Sequence, residues 1–220
     1  MSIDACHART TKRGVPGPGG LQGLVRAGMV ALACAVCLSP AAAQGKGPLD
    51  VEGYVYDEQL AVAGAPLQLN GVGLRAVAWL KGYSAGLYLQ KRTDSAEAVL
   101  QDGGPKRIRL RVLLDVSPEE FVRGFDRGVA KNSTAEQMSA LKARMERFDA
   151  MLRALGPIKK GDVFDLDFVP GQGMVFHRNL QVRGNAIPGT DFYAALLRIF
   201  LGQRPVDKEL KEGMLGGPVR

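Results

Sequence analysis

The sequence predicts an α+β domain, built of antiparallel strands with most of its helices late in the chain. Two observations predict it. Apolar and polar residues alternate with period two at residues 51–57, 67–90, 106–114 and 163–169, as extended chain requires. Helix-opening signals stand at Ser117-Pro118-Glu119-Glu120 and Ser133-Thr134-Ala135-Glu136, each followed by apolar residues at helical spacing. No internal repeat is detectable.

With 220 residues, 46% hydrophobic and 23% charged, the chain can bury a full core and suits one globular domain plus appendages. Its start reads as an export signal. Arg9, Lys12, Arg13 and Arg26 precede an apolar run at 27–38, and Ser39, Pro40 and Ala41-Ala42-Ala43 follow, predicting cleavage after Ala43. That run falls short of the roughly 20 residues a membrane span needs, and the residues before Cys34 and Cys37 lack a lipid-attachment pattern. The expected division is a signal peptide at 1–43, a linker at 44–50, a domain at 51–215 and a tail at 216–220, giving a periplasmic or secreted product.

All three cysteines, Cys6, Cys34 and Cys37, fall in the leader, so the mature chain is expected to use neither disulfides nor thiol chemistry. The formal charge of +7 becomes +4 once the leader is removed, the 29 basic residues losing four and the 22 acidic residues losing one. Scattered cations without interleaved aromatics argue against nucleic-acid binding. No cofactor or metal site is expected.

Taken in order, 51–57 reads as a first strand, and Gly64 and Pro66 break the chain before the long extended region 67–90. Within it Gly71 and Gly73 suggest a bulge rather than a phosphate loop, which would end in Gly-Lys-Ser. Asp94-Ser95-Ala96-Glu97 opens a short helix. The run at 106–114 alternates Ile108, Leu110, Val112 and Leu114 with arginines expected to be solvated. Phe121, Val122, Phe125 and Val129 then follow at helical spacing, and the second helix repeats Met138, Leu141, Met145, Phe148, Leu152 and Leu155 in steps of three and four. Such a seam packs on the parent sheet more often than on a partner.

Asp165 and Asp167 share one side of the next strand and are expected in solvent rather than as a catalytic or metal pair. A strand at 174–177, a turn at Arg178-Asn179 and a strand at 180–186 come next. His177, outside the leader the one histidine, has no evident nucleophile or second ligand and reads as a surface residue. Thr190 is expected to cap a helix bearing Phe192, Leu196, Ile199 and Phe200, and Pro205-Val206-Asp207 begins a last short one.

The region 67–90 is chemically the most informative. Leu74, Ala76, Ala78 and Leu80 share one parity, and Arg75, Val77, Trp79, Lys81 and Tyr83 the other. A guanidinium and a phenol would thus stand beside apolar Val77, Trp79, Leu87 and Leu89, an arrangement able to hold an amphipathic anion; the plain alternative is that both snorkel to solvent. In a straight strand, eight residues separate Arg75 from Tyr83 by roughly 26 Å, too far for one carboxylate. A reversal near residues 76–78 would bring them together.

Asn70-Gly71-Val72-Gly73-Leu74-Arg75, Lys81-Gly82-Tyr83-Ser84-Ala85-Gly86-Leu87-Tyr88-Leu89 and Phe200-Leu201-Gly202-Gln203-Arg204-Pro205-Val206 resemble the chalcone isomerase-like family, and most closely its exported bacterial members. The resemblance implies an open-faced β-sandwich with helices on a large antiparallel sheet. In the plant enzymes an arginine matching Arg75 polarises the substrate for ring closure. A threonine there matches Tyr83, a tyrosine matches Phe121, an asparagine matches about Gly128, and a further threonine is missing near Ile199 and Phe200. Phenylalanine and glycine cannot replace those hydrogen bonds.

Fatty-acid-binding members of the same family, which hold a carboxylate with an arginine and a tyrosine, are the better match. The resemblance therefore implies a non-catalytic exported binder of a fatty acid or similar amphipathic carboxylate, with Arg75 and Tyr83 as ligand-binding residues and no catalytic residue. The alternative is an intramolecular lyase acting on a flavonoid-like substrate. A third reading, an envelope protein using the seam from Met138 to Leu155 to bind a partner, requires that seam to be exposed.

Overall fold

A computed structural model describes residues 48–77 and 80–220; the expected signal peptide, most of the linker, and Ala78 and Trp79 lie outside the described residues. A two-stranded hairpin, β1 (Leu49–Val51) and β2 (Tyr54–Tyr56), precedes a seven-stranded antiparallel sheet. The sheet is ordered as the chain runs: β3 (Gln59–Val62), β4 (Ala65–Val77), β5 (Leu80–Leu89), β6 (Lys106–Val112), β7 (Val163–Val169), β8 (Gly173–Arg178) and β9 (Gln181–Val182). Helix α1 (Ala96–Gln101) joins β5 to β6, α2 (Pro118–Lys131) and α3 (Ala135–Arg153) join β6 to β7, and α4 (Thr190–Leu201) and α5 (Lys208–Met214) follow β9.

The first expected strand is instead a hairpin. Glu52 and Gly53 both take positive φ, a pair that turns the chain back between twisted strands. Ala63 and Gly64 do the same between β3 and β4, while Pro66 is accommodated two residues into β4. In the long extended region the register slips between Leu69 and Gly71, where Asn70 bulges out. Asn70 donates to the carbonyls of Thr93 and Met214, each at 2.9 Å, and accepts from the Thr93 amide at 2.8 Å, tying the bulge to the loop after β5 and to the end of α5. Gly71 and Gly73 have a second duty: a Cβ on either would collide with the backbone of α5, which crosses β4 there.

Helix caps follow the sequence signals with small shifts. Ser117 and Glu120 form the expected capping box with Pro118 in the first turn. Ser95 rather than Asp94 caps α1. The second box is one residue on from the expected Ser133/Glu136 pair: Thr134 Oγ1 accepts from the Gln137 amide at 3.3 Å, and Gln137 Oε1 accepts from the Thr134 amide at 3.0 Å. Glutamine serves as well as glutamate in this reciprocal arrangement. Thr190 does not cap α4; Gly189 holds that place without a side chain. The expected strand at 180–186 shrinks to β9, because positive φ at Asn179 and Leu180 tightens the preceding turn.

Ala85, Leu87 and Leu89 of β5, Ile108, Leu110 and Val112 of β6, and Phe164, Leu166 and Phe168 of β7 form one core with the helices. The seam of α3 is spent in it: Leu141, Met145, Phe148 and Leu152 are buried, with Phe148 edge-on to Phe125 and Phe176. This overturns the reading that requires the seam to be exposed. Leu80, expected on the core face, is half exposed, since the register slips again at Arg75/Ala76 and breaks the parity that linked it to Leu74.

The largest departure lies on the other face of the sheet. Asp165 and Asp167, expected in solvent, are buried, and so is Arg109. The register places Arg107 opposite Asp167 and Arg109 opposite Asp165. Arg109 grips Asp165 with Nε and Nη2 at 2.7 and 2.8 Å, and Arg107 grips Asp167 at 2.5 and 2.6 Å. Fork-to-fork pairs of this kind satisfy each other's polar groups, so the strands can bury them. His177, paired with Asp165 across β7 and β8, is half-buried with Nδ1 at 3.6 Å from Asp167, so it is not the surface residue expected.

Candidate functional site: a cavity between sheet and helices

Arg75 and Tyr83 meet. They are direct cross-strand partners in the antiparallel β4–β5 ladder, so they stand side by side rather than at the two ends of a straight run. Paired residues project from the same side of a sheet, and the Arg75 guanidinium carbon stands 5.7 Å from the centre of the Tyr83 ring. The register slip that leaves Gly82 as the extra residue on β5 bends the hairpin at this pair. A Cβ on Gly82 would lie 3.8 Å from Arg75 Nη1, an ordinary contact, so Gly82 is not needed for clearance there.

Both side chains line a cavity of about 480 Å³ between the sheet and the helices, within the range of small-molecule pockets. Its floor is Leu110 and Val112 of β6 and Leu166 of β7. Phe121 and Phe125 of α2 and Phe148 of α3 form one wall, while Leu196, Ile199 and Phe200 of α4 form another. The remaining polar side chains on the lining, Glu120, Arg123 and Arg127, all belong to α2, and Glu120 is committed to the capping box with Ser117.

Enclosure pushes the Tyr83 phenol well above its usual range; nearby Arg75 pulls it down and Asp207, the cap of α5, pushes it further up. Tyr83 is therefore a neutral hydrogen-bonding phenol at physiological pH, and Arg75 supplies the cation. Arg75 Nε is shielded from solvent and finds no hydrogen-bond acceptor among the described residues. A guanidinium fork beside a neutral phenol on an apolar hollow is suited to a carboxylate head and a hydrocarbon body.

Two of the positions at which the sequence resemblance matches a polar residue of the plant enzymes, Phe121 and Gly128, carry no hydrogen-bonding side chain. Phe121 lies edge-on to Phe164 at 5.4 Å between ring centres. A Cβ on Gly128 would fall 2.7 Å from Ile199 Cγ2, so the close approach of α2 and α4 leaves no room for an asparagine. Among the described residues there is no cluster of three or more His, Cys, Asp or Glu placed to hold a metal ion, and no helix is long and apolar enough to cross a membrane.

Comparison with known proteins agrees with this architecture. The profile of a family described as chalcone isomerase-like matches residues 48–216. Among solved structures, a fatty-acid binding protein of Arabidopsis thaliana superposes with a TM-score of 0.61 at 15% identity, covering 76% of this chain and 95% of its own. At that identity the likeness speaks for the fold. No curated protein sequence matches.

Proposed function

The chain belongs to the chalcone isomerase-like family, and from that premise we propose that it is a non-catalytic binding protein for a fatty acid or a similar amphipathic carboxylate. Arg75 and Tyr83 hold the head, and the tail lies among the phenylalanines and leucines of the cavity. The observation that carries this reading is the cross-strand pairing of Arg75 with Tyr83 on the cavity wall, with Arg75 Nε shielded and unpartnered among the described residues. The fatty-acid binding role of the structural neighbour is consistent with it. The proposal extends to an exported mature chain that begins after Ala43.

Each buried methylene of a tail contributes about 0.8 kcal/mol, and a charge-assisted hydrogen bond about 1.5 to 3 kcal/mol, before the cost of ordering the ligand is subtracted. The tail dominates affinity and the head fixes orientation. The test is extraction of lipid from purified mature protein, with identification by mass spectrometry, repeated on Arg75→Ala. Long-chain carboxylates should be recovered from the wild type and fall about tenfold or more in the variant. Equal recovery from both sinks the proposal.

A further inference from the structure

We infer that Gly124 sets what the cavity admits: the side chain it lacks is the space through which the body of the ligand enters beside α2. This rests on the binding reading above. Helix α2 carries two interior glycines one turn apart, Gly124 and Gly128. An interior glycine gives up backbone order that alanine would keep, so each needs a reason to be there.

For Gly128 the reason is clearance, because a Cβ there would lie 2.7 and 3.0 Å from the Cγ2 and Cγ1 atoms of Ile199. Gly124 has no such reason. A Cβ there meets no atom within 4 Å, and its backbone is ordinary helix rather than left-handed. Yet Gly124 lies on the cavity lining and is half-buried. At about 100° per residue it sits about 40° around the helix from Gly128, toward the Glu120 side. That places it between the buried seam and the exposed edge of α2, at the rim of the hollow. A side chain grown there has open space ahead of it and no wall to displace.

The test replaces Gly124 by Ala, Leu and Phe and titrates each variant with octanoate and hexadecanoate, and with the uncharged dye Nile red. Hexadecanoate affinity should fall in the order Ala, Leu, Phe, by roughly threefold, tenfold and a hundredfold, as added volume fills the entrance. Octanoate should lose less. Melting temperatures should not fall, since a helix glycine is being replaced, whereas Gly128→Ala should melt lower. A folded Gly124→Phe protein that binds hexadecanoate as the wild type does would show that the position faces solvent, and the inference is overturned. Should the Phe variant unfold, the Ala and Leu variants decide the matter by the same ordering.

The two readings separate through the dye. A wild type that takes up Nile red but not hexadecanoate, with Nile red lost in Gly124→Phe, removes the carboxylate reading and keeps the entrance. A wild type that takes up neither overturns both.

Discussion

If a carboxylate is held by Arg75 and Tyr83, masking that charge should cost a fixed amount whatever the length of the tail. Converting dodecanoate to its methyl ester removes the negative charge and leaves the hydrocarbon unchanged. The guanidinium then loses a charge-assisted partner worth about 1.5 to 3 kcal/mol, a weakening of about 10- to 150-fold. Arg75→Met keeps much of the apolar stem and should weaken the acid by the same factor while leaving the ester almost unchanged. Tyr83→Phe removes one neutral donor, about 0.5 to 1.5 kcal/mol, or roughly 2- to 12-fold. The groups are adjacent, with the guanidinium carbon 5.7 Å from the ring centre, so the double variant should depart from additivity.

Lengthening the acid by two methylenes should tighten binding about 15-fold in all four proteins, because the tail term is independent of the head. Enclosure keeps the Tyr83 phenol protonated beyond its usual range, so the acid's affinity should be flat from neutral pH to about pH 10. Isothermal titration with the acid and ester series reads all of these. An ester that binds the wild type as tightly as the acid would refute a charge-held head group. So would an Arg75→Met variant that changes the dependence on chain length instead of shifting every affinity together.

Three further outcomes follow from other parts of the molecule. Asp165→Ala strands the buried Arg109 guanidinium and should cost about 3 to 5 kcal/mol in urea unfolding, whereas Arg109→Met with Asp165→Leu should recover most of it; equal losses from the single and the double variant would contradict this. Burial, with repulsion from Asp126 and Glu146 and relief from Arg153, lifts the Asp149 carboxyl to about 6. The folded chain therefore keeps a proton that the unfolded chain releases, so stability is greatest below about pH 4 for this group and is lost as pH rises through about 6. Asp149→Asn should flatten that slope and stabilise the protein at pH 7 by about 1 kcal/mol after allowance for solvent screening, read by melting temperature against pH. Arg144→Ala breaks a two-pronged contact with Asp191 that joins α3 to the start of α4, and its exposed setting should hold the loss to about 1 kcal/mol or less in thermal melts.

The strands, the capping box at Ser117 and the burial of the α3 seam were legible because each rests on a local period or a local hydrogen bond. Features set by partners distant in sequence were not. KRIRLRVLL and VFDLDFV each look like strands with one wet face, and only the register of β6 on β7 turns those two wet faces into a buried row of ion pairs. A matching order of charges was there to be seen: Arg107 and Arg109 run one way, Asp165 and Asp167 the other, as an antiparallel pair requires. The meeting of Arg75 and Tyr83 needed the two strands to pair, which parity alone does not demand. Gly124 was invisible for another reason. An empty space on a helix leaves no mark in a sequence beyond the glycine itself, and Gly128 one turn later leaves the same mark for the opposite cause.

The two faces of the sheet explain why Arg75 in particular stands on the cavity. In β6, Arg107, Arg109 and Arg111 alternate with Ile108, Leu110 and Val112, which belong to the helix-covered core, so those three arginines project to the far face. There, Arg107 and Arg109 are taken up by carboxylates of β7, and Arg111 donates to the carbonyl of Val55. Tyr83 pairs with Val112 and therefore shares the helix-covered side, and Arg75 pairs with Tyr83. The sheet thus sends one arginine toward the hollow without a facing carboxylate in its ladder, while those on the far face are neutralised or hydrogen-bonded within the fold. A structural arginine would be expected to resemble Arg109, gripped from both nitrogens of its fork. Arg111 has an equally shielded and unpartnered Nε but keeps its bond to Val55, whereas Arg75 makes no hydrogen bond or ion pair with any described residue, the environment of a group whose partner comes from outside the chain.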